Sequence, residues 1–197
     1  PDPHYFPLQR LTRFRHFLVH SLVRTKLHTL TLLFLAESEY ERLRPLSDPF
    51  GATSLALLTE YHGLDELAEL PLDTLVDFLD EHSRGKIDDT KSLAKQLQQI
   101  SADSFKLDDE AVGPVRFVLK SALQQVKSQT QTLQALDRRL AVEFARYSNT
   151  LCSVKGLGPV YAAGLTAEIG DIGRYEGEEA LAKYAGLWWP RSQSGQF

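Results

Sequence analysis

Residues 191–195 read Arg-Ser-Gln-Ser-Gly. A serine beside glycine, in a loop following Trp188-Trp189-Pro190, has the type and setting of a nucleophile, and Arg191 could hold a phosphate through charge-assisted hydrogen bonds. Ser194, directly before Gly195, is the candidate nucleophile and Ser192 the fallback, because the register of so short a loop is not fixed by its residues. The same residues could also form a surface turn. A serine hydroxyl is a weak nucleophile until a base or metal activates it, and phosphoryl transfer also needs positive charge on the non-bridging oxygens.

A second segment, LCSVKGLGPVYAAGLTAEIG at residues 151–170, has a pattern that could take a phosphate. Gly156-Leu157-Gly158 lies between two apolar patterns, with Ala163 five residues past Gly158. The order apolar-x-Gly-apolar-Gly-x-x-x-x-Ala is that of a helix-hairpin-helix. Its glycines allow a tight turn with positive φ, and the turn aims backbone N–H groups from the start of the next helix at an anion. Such a contact reads no base sequence. Pro159 suits the first turn of that helix, and small Ala162, Ala163 and Gly164 let two helices approach closely. Gly156, Gly158 and Lys155 are the residues assigned to nucleic-acid contact, together with Arg191. A purely structural hairpin would carry the same pattern.

A third feature is basic. Arg10, Arg13, His16, His20 and Arg24 recur at steps of three and four, which places them on one helical face able to track a phosphate backbone. Arg10, Arg13 and Arg24 are the candidate contacts. The net charge of −4 hides this asymmetry. Residues 1–36 carry +4, residues 37–111 carry seven basic and eighteen acidic residues, and residues 112–197 carry +3. Basic ends around an acidic middle suit a polyanion partner. The acidic residues of the middle do not cluster at metal-ligand spacing, so no metal site is assigned to the chain.

The elements that must position these groups are helical. No Gly or Pro interrupts residues 8–44, and apolar residues at helical spacing predict one long helix there. Gly113-Pro114 predicts the start of a second over 114–149, where Leu119, Val126, Leu133, Leu140 and Tyr147 repeat every seven residues, with Ala122 and Leu136 between and Gln129 and Glu143 breaking the intermediate row. Between them, turn residues predict short helices at Ser54–Tyr61, from Leu72, and from an Asp88 or Asp89 cap to about Gln99. The expected fold is all-α: long antiparallel coiled-coil-like helices with a short-helix insert at about 45–113, making a region 1–149, followed by a helix-hairpin-helix domain at 150–197. The seam is expected to pair within the chain or between chains, giving a homo-oligomer through the long helices.

Composition is that of a globular chain, with 43% hydrophobic and 24% charged residues, which excludes disordered and fibrous classes. Cys152 is the only cysteine, so an internal disulfide or a cysteine-rich zinc site is excluded. The longest apolar stretch, Leu32–Ala36, is far short of the ~20 residues that cross a bilayer, so no membrane partner is expected and a cytoplasmic setting is the default. With no Met and Pro at position 1, the chain is read as a fragment of a longer protein.

The run from Leu151 to Ser194 resembles the C-terminal domain of the insertion-sequence transposases of family one-hundred-ten, with its one-hundred-sixteen and nine-hundred-two relatives. The pieces GLGPVYAAGLTAEIGDI, LAKYAGL and QSG stand in the family's order and spacing. LQRLTRFRHFLV, the FGATS turn and the glutamine-rich helix resemble the family's linking region. The resemblance implies an RNA-guided DNA recombinase: an N-terminal RuvC-like domain with a DEDD set of Mg²⁺-binding carboxylates, a helical coiled-coil region, and a serine-bearing domain. It also implies DNA and a guide (bridge) RNA as partners, with the RNA reading sequence and Ser194 attacking the scissile phosphate to form a phosphoserine link. No DEDD carboxylate is placed on this chain, so Mg²⁺ is expected in the missing RuvC-like domain and no cofactor here. The expectation is a piece of a DNA transposase that binds nucleic acid but does not cut alone. The alternative is a non-enzymatic helix-hairpin-helix nucleic-acid-binding or dimerisation module.

Overall fold

The structure, a computed structural model, describes residues 2–61 and 65–188. Among them there are helices and no strand: α1 (Phe6–Ala36), α2 (Ser38–Leu43), α3 (Ala52–Glu60), α4 (Asp65–Glu69), α5 (Leu72–Ser83), α6 (Thr90–Asp103), α7 (Asp109–Phe144), α8 (Pro159–Ile169) and α9 (Glu178–Tyr184). The all-α reading holds, and both long helices are present. Among the described residues no helix is long and apolar enough to cross a membrane.

Two boundaries differ from the sequence reading. The helix expected over 8–44 stops at Ala36 and restarts at Ser38, with Glu37 at φ −145° between them. Two serines tie this break to the end of α6: the Glu39 N–H donates to Ser104 Oγ, and the Phe105 N–H donates to Ser38 Oγ, each at 3.2 Å. These bonds satisfy backbone groups that a helix end leaves open, so a break without Gly or Pro is stable. The second long helix starts at Asp109, not at Gly113-Pro114, and Pro114 lies inside it. The Ala111 and Val112 N–H groups close the first turn onto Asp108 O at 2.9 and 3.0 Å, upstream of the proline. Pro114 therefore removes one N–H without preventing initiation. The cap expected at Asp88 or Asp89 is Asp89, whose Oδ1 accepts from the Ser92 N–H at 2.8 Å.

By proximity the chain falls into two compact units, residues 1–16 with 135–197 and residues 17–134, so the sequence-based division at 149/150 lies inside the first. In the unit 17–134, α6 packs on α2, α4 and α5, and α5 packs on α3. Its core joins Leu33, Tyr40, Leu57, Leu75, Leu97 and Ile100 with Leu119 and Leu123 of α7. Here Gln129 Nε2 donates to Ser21 Oγ at 3.2 Å, so the glutamine that breaks the heptad row is partnered by α1.

The unit 1–16 with 135–197 has its own core of Leu8, Leu140, Phe144, Tyr147, Ala162, Ala163 and Ala167. The two small alanines of α8 are fully buried, which allows the close approach their size suggests. The Tyr147 hydroxyl donates to His4 O at 2.8 Å, and its ring stacks on Tyr5 at 5.4 Å, anchoring the first residues. Glu143, the other break in the heptad row, is buried but receives Arg146 Nη1 at 3.1 Å. Arg15 Nε reaches Asp137 Oδ1 at 2.6 Å. Leu119, Ala122, Val126, Leu136 and Leu140 are all buried within the single chain.

Candidate nucleic-acid interface

The glycine turn is exposed and shaped by its backbone. Leu151–Ser153 forms one 3-10 turn, after which Val154 is extended. The Leu157 N–H donates to Val154 O at 3.0 Å, and Gly156 sits at φ +94°, a conformation that L side chains rarely adopt. Gly158 caps α8 with extended backbone and Pro159 is its first residue. No side chain caps this helix. Its first free donors are therefore the N–H groups of Val160 and Tyr161, since proline has none and the Ala162 N–H already donates to Gly158 O at 3.0 Å. Lys155, Gly156 and Gly158 are all exposed. The first arm of the expected hairpin is a single 3-10 turn where the sequence pattern called for an apolar helix; the second arm, α8, is a full helix.

The basic face meets different fates along α1. Arg13 is engaged by Glu168 of α8, with Nε donating to Oε1 at 2.8 Å and Nη2 to Oε2 at 2.7 Å. The pairing holds the Glu168 carboxyl below its ordinary range, first through Arg13's hydrogen bonds, and raises Arg13 in turn. Gln9 Nε2 adds a longer bond to Glu168 Oε2 at 3.3 Å. Arg10 lies over the Phe6 ring at 4.9 Å. Arg24, in the other unit, is exposed. Thus Arg10 and Arg13 share a unit, while Arg24 does not.

Sequence reasoning missed two residues beside them. Arg174 lies over the rings of Tyr175 and Tyr184 at 4.7 and 5.0 Å, and its guanidinium also donates to the Tyr175 hydroxyl. Tyr184 donates its hydroxyl to Glu168 O at 3.1 Å. A cleft of about 320 Å³ is lined by Arg10, Arg13, Glu168, Arg174 and Tyr184 with the first residues of the chain. Arg13 and Glu168 are 155 positions apart, a pairing that no local pattern announces; the IGRY segment carrying Arg174 could have been noticed for its Arg-Tyr neighbours alone.

Ser194, Ser192 and Arg191 lie outside the described residues. Among the described residues no group of three or more His, Cys, Asp or Glu side chains could hold a metal ion. No curated protein and no solved structure matches the chain significantly. Residues 148–197, which contain the glycine turn, α8 and the serine segment, match the model of the Transposase IS116/IS110/IS902 family, so this segment is similar to that transposase family.

Proposed function

We propose that the chain works within a DNA transposase or recombinase that mobilises an insertion sequence, where it binds DNA and a guide RNA. The family match over residues 148–197 carries this reading. The glycine turn would take a strand phosphate on the Val160 and Tyr161 N–H groups, with Lys155 and Arg191 adding charge. Arg10, Arg13 and Arg24 would add contacts to the phosphate backbone, and homo-oligomerisation would use the long helices.

Ser194, with Ser192 as the fallback, is the proposed nucleophile. Its Oγ would form a bond to phosphorus as the bond from phosphorus to the leaving sugar oxygen breaks, the hydroxyl proton passing to a base. This chain is not assigned that base, nor the Mg²⁺ carboxylates, and alone it is expected to bind without cutting. The test is incubation with duplex DNA and with a structured RNA of equal length, followed by separation under denaturing conditions. Salt-sensitive complexes without a covalent adduct support the reading; the absence of any complex at low salt overturns it.

Homo-oligomerisation has a restricted route. Most of the heptad seam is buried within one chain, Leu133 being partly buried, so a second copy would use exposed apolar positions of the long helices such as Leu27, Phe34 and Phe117.

A further inference from the structure

We propose that the cleft of the unit 1–16 with 135–197 is a pocket for one unstacked nucleotide of a single strand. This rests on the nucleic-acid-binding reading above and names the substrate form that the cleft takes. A volume of about 320 Å³ is at the small end of ligand sites and suits one nucleotide. Duplexes keep their bases stacked inside, whereas loops and free ends offer single bases to protein pockets.

The charge in the cleft is arranged for a phosphate. Of its three arginines, Arg13 is neutralised by Glu168. Arg10 and Arg174 make no ion pair among the described residues, although both line the cleft. Asp2 is the other acid there, and its Oδ1 accepts from the His4 N–H at 2.9 Å. Both unpaired guanidiniums are already held over aromatic rings, Arg10 over Phe6 and Arg174 over Tyr175 and Tyr184. A guanidinium held in place loses less freedom on binding a phosphate than a free side chain would.

The rings supply the second element of nucleotide recognition. Tyr5, Phe6 and Tyr184 line the cleft, and Phe6 and Tyr184 are about half exposed, at 47% and 56%. Base–aromatic stacking tolerates any base, so this pocket would select an unpaired strand over a duplex without selecting a sequence.

The experiment uses the full chain with single-stranded DNA and RNA oligonucleotides carrying one 2-aminopurine, and with the matching duplexes. Expected are quenching of 2-aminopurine by the single strands and competition by adenosine monophosphate but not by inorganic phosphate. The double variant Arg10→Ala, Arg174→Ala should weaken single-strand binding about tenfold or more while duplex binding changes far less. Equal weakening of both overturns the pocket and leaves general phosphate contacts; wild-type binding of duplex without any binding of single strands overturns it too. Binding of no nucleic acid at all overturns the functional reading itself. If the double variant fails to fold, judged by circular dichroism, mononucleotide competition on the wild-type chain decides.

Discussion

Arg13 and Glu168 meet edge to edge, two parallel hydrogen bonds of 2.8 and 2.7 Å joining the first helix to α8. Both side chains are about half exposed, at 55% and 42%, so water screens the pair. Its contribution to stability is therefore expected to be small. Because Glu168 is held below the ordinary carboxylate range, that contribution is present at neutral pH and is lost as pH falls through the carboxyl's depressed folded value. Unfolding of wild type and Arg13→Ala should differ slightly at pH 7 and converge in acid. A gap that widens in acid would contradict this assignment.

The same pairing bears on binding. A guanidinium already satisfied by a carboxylate is a poorer phosphate contact than one without an ion pair. Arg10→Ala and Arg24→Ala should each flatten the salt dependence of binding by about one phosphate contact, and Arg13→Ala by less. Slopes measured from 50 to 300 mM salt, roughly the range over which such contacts are read, test this. An Arg13→Ala slope as flat as that of Arg10→Ala alone would show that Glu168 releases Arg13 to the ligand.

Gly156 and Gly158 separate conformation from contact. Neither has a neighbour within 4 Å of an added Cβ, but only Gly156 has positive φ, +94°. Gly156→Ala should therefore cost about 1–2 kcal/mol of stability from backbone strain alone. Gly158→Ala should leave the unfolding midpoint nearly unchanged, yet weaken duplex binding if a phosphate approaches the turn closely. A neutral Gly156→Ala in thermal unfolding would mean that the turn is not held at this φ.

Tyr40 offers a test in the other unit. It is 1% exposed, and among the described residues its hydroxyl makes no hydrogen bond of normal geometry; it lies beside Ser54, which gives its own hydrogen to Asp48 O at 2.6 Å and offsets only part of the effect of burial. Burial pushes the phenol up to about 12. The unfolded chain's tyrosine ionises nearer 10, so stability falls as pH rises from about 10 toward 12. Tyr40→Phe should be neutral or stabilising at pH 7 and less sensitive to alkali. A loss of more than about 1 kcal/mol at pH 7 would mean that the hydroxyl is bonded after all.

Periodicity exposed much of this fold. The seven-residue repeat of α7 identified the buried positions Leu119, Val126 and Leu140, and the Asx cap at Asp89 is one of the two positions read for it. Periodicity could not find the break at Glu37, which is fixed by two serine hydrogen bonds that span 65 and 67 positions. It also could not place the first helix of the glycine hairpin, because the apolar residues before Gly156 fit a 3-10 turn as well as a helix. Of the candidate site, the glycine turn was legible because positive φ leaves a glycine signature. The Arg10, Arg174 and Tyr184 cleft was not, since its members come together only through tertiary packing. The serine segment carried its own signal at Ser192 and Ser194 but lies outside the described residues.

The most direct measurement is binding of the chain to a structured RNA and to duplex DNA of equal length across a salt series. Tight, salt-steep binding that favours the RNA is the result expected from the proposed guide-RNA role. Equal, weak and salt-insensitive binding to both, or none, would contradict it.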